Sequence, residues 1–172
     1  LHYKKEGAKM TKHVLSVLVE NQSGVLSRIS GLFSRRGYNI HSLSVGETEN
    51  PSISRMTIVV DASDQILEQI KKQLNKLVDV IKILELENET AVYRELALIK
   101  VTTKKATRAE IIEIANIFRA RIIDVADASL MIEATGDQQK LTALINMLEP
   151  YGLKEVIRTG ITALERGNKE LK

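Results

Sequence analysis

Between an apolar run, HVLSVLVE, and a helix-like run, VLSRISGLFSRRG, the chain reads ENQSGVLSR over residues 20–28. Asn21, Ser23 and Gly24 therefore stand where a strand hands over to a helix. A helix that opens near Gly24 leaves its first backbone amides without partners, and its dipole places partial positive charge there. A carboxylate or phosphate is a natural guest at such a point, and glycine has no side chain to block it. The same residue types also make plain turns, so the motif alone leaves both uses open.

Other chemistries are mostly excluded. There are no cysteines, so disulfides, thiolate metal sites and cysteine nucleophiles are ruled out. The three histidines, His2, His13 and His41, show no metal-ligand spacing such as HxxxH. P-loop, GxSxG, HExxH and GxGxxG motifs are absent. Glu85 and Glu87 lie among other charges and read as a solvated face. Arg35 and Arg36, at the end of the helix-like run, suit either a phosphate or the helix dipole. The net charge is +3, but the basic residues are interspersed with acidic ones. Aromatics are 3% of the chain and Trp is absent, which leaves few platforms for stacking bases, and none lies in HVLSVLVE or SRMTIVV. Nucleic acid is therefore not an expected partner. No apolar run is long enough to cross a bilayer, and LHYKKEGAK lacks a signal core. The expectation is a cytoplasmic binding or regulatory protein without a catalytic site or a cofactor of its own.

The elements that must position the junction follow from periodicity. Residues 1–12 show none and read as a leader or appended tail, with Met10 a possible start. HVLSVLVE alternates, with Leu15, Val17 and Val19 on one face. Val25, Leu26, Ile29, Leu32 and Phe33 follow helical spacing, and Gly37 sits just past the end as a C-cap. YNIHSLSVGE and SRMTIVVD read as strands joined at Asn50-Pro51. Ser63 or Asp64 caps a helix bearing Ile66, Leu67, Ile70, Leu74 and Leu77. VDVIKILELE closes a β-α-β-β-α-β order. After a polar joint, ENETAVYR, the order repeats. ELALIKVTT leads to a T-x-x-E capping box at Thr107 and Glu110 with a helix over Ile111–Phe118. IIDVAD and SLMIEAT follow, then a helix capped by Asp137, then GLKEVIRTG. The predicted fold is α+β, two tandem ferredoxin-like βαββαβ units over residues 13–88 and 89–167, with a frayed tail over 168–172.

In a βαββαβ sheet the strand order is 4-1-3-2, which puts the strand opened by Tyr38–Ile40 at an edge. It carries Ile40, Leu43 and Val45 and no lysine. Exposed apolar edges must be protected or used. Pairing with the same strand of a second copy gives a two-fold dimer, in which Asn39 reaches the Gly24 loop of its neighbour; a short solvated edge is the alternative.

The stretch LSVLVENQSGVLSRISGLFSRRGYNIHSLSVGETENPSISRMTIVV resembles the amino-terminal ACT domain of the regulatory (small) subunit of acetohydroxyacid synthase, also called acetolactate synthase. The likeness continues through LEQIKKQLNKLVDVIKI, RELALIKV, IFRARIIDV and RTGI, spanning both units from about His13 to about Gly167. The resemblance implies an amino-acid-binding ACT domain over 13–88 and a partner large subunit that carries thiamine diphosphate, Mg²⁺ and FAD. That subunit condenses pyruvate with a second 2-oxo acid at the start of branched-chain amino-acid synthesis. The small subunit is implied to do no chemistry, to activate the large one, and to confer feedback inhibition, typically by valine. It is implied to dimerise through its ACT domains with the effector at the interface. Residue by residue, Asn21 matches the family's loop asparagine. Gly24 and the amides of Val25 and Leu26 match the segment that holds the effector carboxylate. Asn39 and Ile40 match the positions supplied by the neighbouring copy. Gln22 and Val25 are variations that remove no backbone amide. Ala120 stands where many relatives have the glycine of FRG-x-IIDV, so a slightly different turn is expected there. A free-standing ACT-type amino-acid sensor acting on another partner is the alternative.

Overall fold

The structure is a computed structural model and describes residues 10–171. Its elements run β1 (Thr11–Glu20), α1 (Val25–Arg35), β2 (Ile40–Glu47), β3 (Ile53–Ala62), α2 (Asp64–Leu74) and β4 (Val80–Leu86), followed by β5 (Ala91–Thr102), α3 (Arg108–Ile117), β6 (Arg121–Val125), β7 (Ser129–Gly136), α4 (Gln138–Leu148), β8 (Leu153–Arg158) and β9 (Thr162–Glu165). The predicted βαββαβ order is present twice, and the fold is α+β and ferredoxin-like. Among the described residues, no helix is long and apolar enough to cross a membrane.

In the first unit the antiparallel sheet has the order β2-β3-β1-β4. Alternation in β1 sends Leu15, Val17 and Val19 to the helix side, where they meet Met56, Ile58 and Val60 of β3. The apolar stripe of α1 (Val25, Ile29, Leu32, Phe33) and that of α2 (Leu67, Ile70, Leu74) close this core. Ser63 caps α2 by accepting from the Ile66 amide at 3.4 Å. Gly37, with φ +68°, follows α1 as the expected left-handed stop. The β2–β3 turn is held by Asn50 Oδ1, which accepts from the Ser52 amide at 3.0 Å and the Ser52 hydroxyl at 2.7 Å.

The second sheet has the order β6-β7-β5-β8, with β9 also on β5. Ala97, Ile99, Val101, Leu130, Ile132 and Ala134 face Ile111, Ile114, Leu141 and Leu144. Asp137 caps α4 by accepting from the Lys140 amide at 2.8 Å.

Two local expectations are corrected and one is refined. The capping box does not form: Thr107 has helical torsions, and its hydroxyl is taken by the Lys104 amide at 3.1 Å, while Glu110 accepts from Tyr151 at 2.9 Å. A local turn competed for the hydroxyl and won. The left-handed residue of the FRAR turn is Arg119, at φ +53°, so the strain precedes Ala120. Glu85 is no solvated charge, since it lies 3.0 Å from His13 Nδ1 and 3.2 Å from Lys71 Nζ.

The compact units also fall differently from 13–88, 89–167 and a frayed 168–172. One comprises the described residues up to Val92 together with those from Ala163 on, and the other is Tyr93–Thr162. The Arg166 amide donates to Thr90 O at 2.8 Å, and Arg55 donates to Leu171 O at 3.4 Å, so the end of the chain packs on the first unit with Leu171 only 8% exposed. β1 starts at Thr11, inside the stretch read as a leader; residues 1–9 lie outside the described residues.

Phe33 is 1% exposed and meets Tyr38 edge-on with ring centroids 6.3 Å apart. Phe33→Ala is expected to cost about 3–5 kcal/mol by urea unfolding.

Candidate functional site

The junction between β1 and α1 is built by Gly24. It is the N-cap of α1 and adopts φ +85°, ψ −12°, a left-handed conformation that other residues adopt only with strain. The side chain of Val25 is driven into the core at 3% exposure, which fixes the helix start against the sheet. The Val25 amide already reaches back to Gln22 O at 3.4 Å, and the first firm helical bond runs from the Arg28 amide to Gly24 O at 2.9 Å. Among the described residues, the amides of Leu26 and Ser27 find no acceptor. They are the open donors at the positive end of the α1 dipole.

Asn21 braces this turn. Its amide donates to Ser52 O at 2.8 Å, and its Nδ2 donates to Pro51 O at 2.8 Å and to Glu47 Oε1 at 3.2 Å. The loop is thus tied to the far end of β2 and the β2–β3 turn. On its other flank the Glu20 amide donates to Asp79 O at 2.9 Å.

Two residues that the sequence did not single out complete the geometry. Arg28 Nε donates to Asp79 Oδ2 at 2.6 Å, with the Asp79 side chain 8% exposed and that of Arg28 49% exposed. The contact raises the guanidinium pKa further above its ordinary high value, chiefly through that hydrogen bond. A Cβ placed on Gly24 would lie 2.9 Å from Arg28 Nη1, so the missing side chain is what lets the guanidinium sit over the turn. The one signal in the sequence is an arginine in the first turn of a helix, where its charge opposes the dipole and calls for an acid nearby. That acid comes from 51 residues away.

The chain brings Asn21, Gly24, Val25 and Leu26 together. It does not bring Asn39 and Ile40 to them. These two follow the other end of α1, whose 11 residues span about 16 Å at the usual rise. Asn39 is exposed, and Ile40 packs partly on the core. Among the described residues, no group of three or more potential metal-ligating side chains is assembled.

The amino-terminal unit matches the family model for the AHAS small subunit-like ACT domain over residues 15–82, and residues 94–167 match that for the small subunit of acetolactate synthase. The chain is 58% identical over 155 residues to the acetolactate synthase small subunit of Mycolicibacterium smegmatis, covering 90% of this chain and 91% of that one. The chain belongs to the acetolactate synthase small-subunit family. A probable acetolactate synthase small subunit of Archaeoglobus fulgidus is 54% identical, with 92% of this chain and 99% of the relative covered. The crystal structure of the acetolactate synthase small subunit from Thermotoga maritima superposes with a TM-score of 0.87 at 43% identity, covering 92% of this chain and 99% of that one. As an acetolactate synthase small subunit, the chain carries an ACT domain in its first unit, consistent with a regulatory role.

Because φ at Gly24 is +85°, Gly24→Ala is expected to destabilise the chain by about 1 kcal/mol in urea unfolding. The flexible end of Arg28 can move aside for the new methyl, so the loss is one of backbone strain.

Proposed function

We propose that this chain is the non-catalytic regulatory subunit of acetolactate synthase. It activates a catalytic large subunit and confers feedback inhibition by a branched-chain amino acid, valine first among them. Thiamine diphosphate, Mg²⁺ and FAD belong to the large subunit. The regulatory ligand binds between two copies of the ACT domain, on Asn21, Gly24 and the amides of Val25 and Leu26 from one copy and on Asn39 and Ile40 from the other.

The observation that carries this reading is the placement of β2. It is an edge strand, paired only with β3 among the described residues, and Val45 on it is 46% exposed. Its last residue, Glu47, holds the Asn21 loop, while its first residue follows Asn39. Antiparallel pairing of two copies of β2 sets the start of one strand beside the end of the other. Asn39 of the second copy then arrives next to Asn21 and Gly24. The two halves of the site, about a helix length apart on one chain, become neighbours across a two-fold axis.

An amino acid suits that geometry. Its carboxylate takes the open amides of the α1 start. Its ammonium takes Asn21 Oδ1, since that side chain spends its Nδ2 on Glu47 and Pro51. A ligand held by both copies shifts the large subunit only if it prefers one arrangement of the pair over another.

The test is reconstitution with the large subunit. Gly24→Asp places a carboxylate under Arg28, in the space of the guest, and is expected to abolish valine inhibition while activation persists. Asn39→Ala is expected to raise the valine concentration needed for half-inhibition about tenfold, the scale of one buried hydrogen bond lost. Normal valine inhibition by a stably folded Gly24→Asp chain rules out the site.

A further inference from the structure

Arg28 neutralises the buried Asp79 carboxylate from an unfavourable place in the chain. It lies in the first turn of α1, where the dipole disfavours a cation. The buried Asp79 carboxylate fixes only its Nε, at 2.6 Å, and among the described residues its two amino groups take no partner. The guanidinium is aimed over Gly24, with Nη1 2.9 Å from where a side chain would begin. The open amides of Leu26 and Ser27 are one and two residues beyond Gly24. A cation clamped at Nε, with two free amino groups beside a glycine turn whose following amides are open, is an arrangement suited to a carboxylate.

We propose that Arg28 contacts the carboxylate of the regulatory amino acid directly and sets the preference for α-amino acids over their carboxamides, with Asp79 as the positioning residue that holds the guanidinium over the turn. The assignment rests on the reading of this turn as the effector site, and it adds to the backbone amides a side chain that discriminates charge. Nε stays on Asp79 while Nη1 and Nη2 donate to the ligand. Asp79 keeps the fork from swinging into solvent, so little side-chain freedom remains to be lost on binding.

Calorimetric titration of the full chain with valine and with valinamide tests this. Valinamide keeps the ammonium and the isopropyl group and lacks the carboxylate. Arg28→Gln alone leaves the Asp79 carboxylate buried without its cation, so the double variant Arg28→Gln/Asp79→Asn, which keeps a neutral hydrogen-bonding pair, is measured beside it. The wild type is expected to prefer valine. Both variants are expected to lose about tenfold of that preference, the scale of one charge-assisted hydrogen bond, with valinamide affinity nearly unchanged. Equal weakening of both ligands makes Arg28 merely structural and overturns the assignment, as does an intact preference. A wild-type chain that binds neither ligand overturns the effector reading as well. Loss of valine binding in Asn39→Ala with the preference intact in the Arg28 variants overturns the Arg28 assignment alone.

Discussion

The chain passes from β1 into α1 in four residues, Asn21 to Gly24, and Gly24 makes the passage in a left-handed conformation. Much follows from that one torsion. Val25 drops directly into the core, so the helix start cannot drift. The next two amides find no acceptor among the described residues. The absent Cβ leaves room for the Arg28 guanidinium. A side chain at this position would strain the turn and crowd the cation at once. The glycine thus serves backbone geometry, electrostatics and access together.

The turn is braced from both sides, which keeps the open amides fixed in direction. Asn21 links it to Glu47 and Pro51, and Glu20 links it to Asp79. Asp79 then holds Arg28. Donors fixed in this way lose little when an anion binds, because their orientation costs nothing further. The same bracing couples the site to β2, the strand on which the proposed pairing of two copies depends. A ligand that touches both copies therefore acts on the geometry of the pair and not only on a loop.

Most of the architecture was legible in the sequence because the helices and strands obey their periods. Leu15, Val17 and Val19 alternate into one core, and the α1 and α2 stripes meet them there. Caps with no competitor were legible too, as at Asp137 and Ser63. Where a side chain had two local options, pattern was not enough: Thr107 closes a turn with Lys104 and leaves the capping box unmade. Long-range pairing left the weakest trace. The Arg28–Asp79 contact and the return of Leu171 to Arg55 join residues far apart in the chain, and no periodicity signals either. The short β9 carries too few residues to show alternation, and the sequence reading does not resolve it as a strand. At the junction itself, Asn21 and Gly24 were visible as residue types. That the Val25 amide is partly engaged while Ser27 is open required the fold.

The central claim is that the Gly24 turn, completed by a second copy, holds a branched-chain amino acid. Thermal unfolding of the chain alone, with valine and then with alanine, tests it most directly. At about one hundred times Kd, valine is expected to stabilise the folded state by roughly 2.7 kcal/mol, with a clear rise in midpoint that alanine does not reproduce. An unchanged midpoint at every valine concentration contradicts the claim.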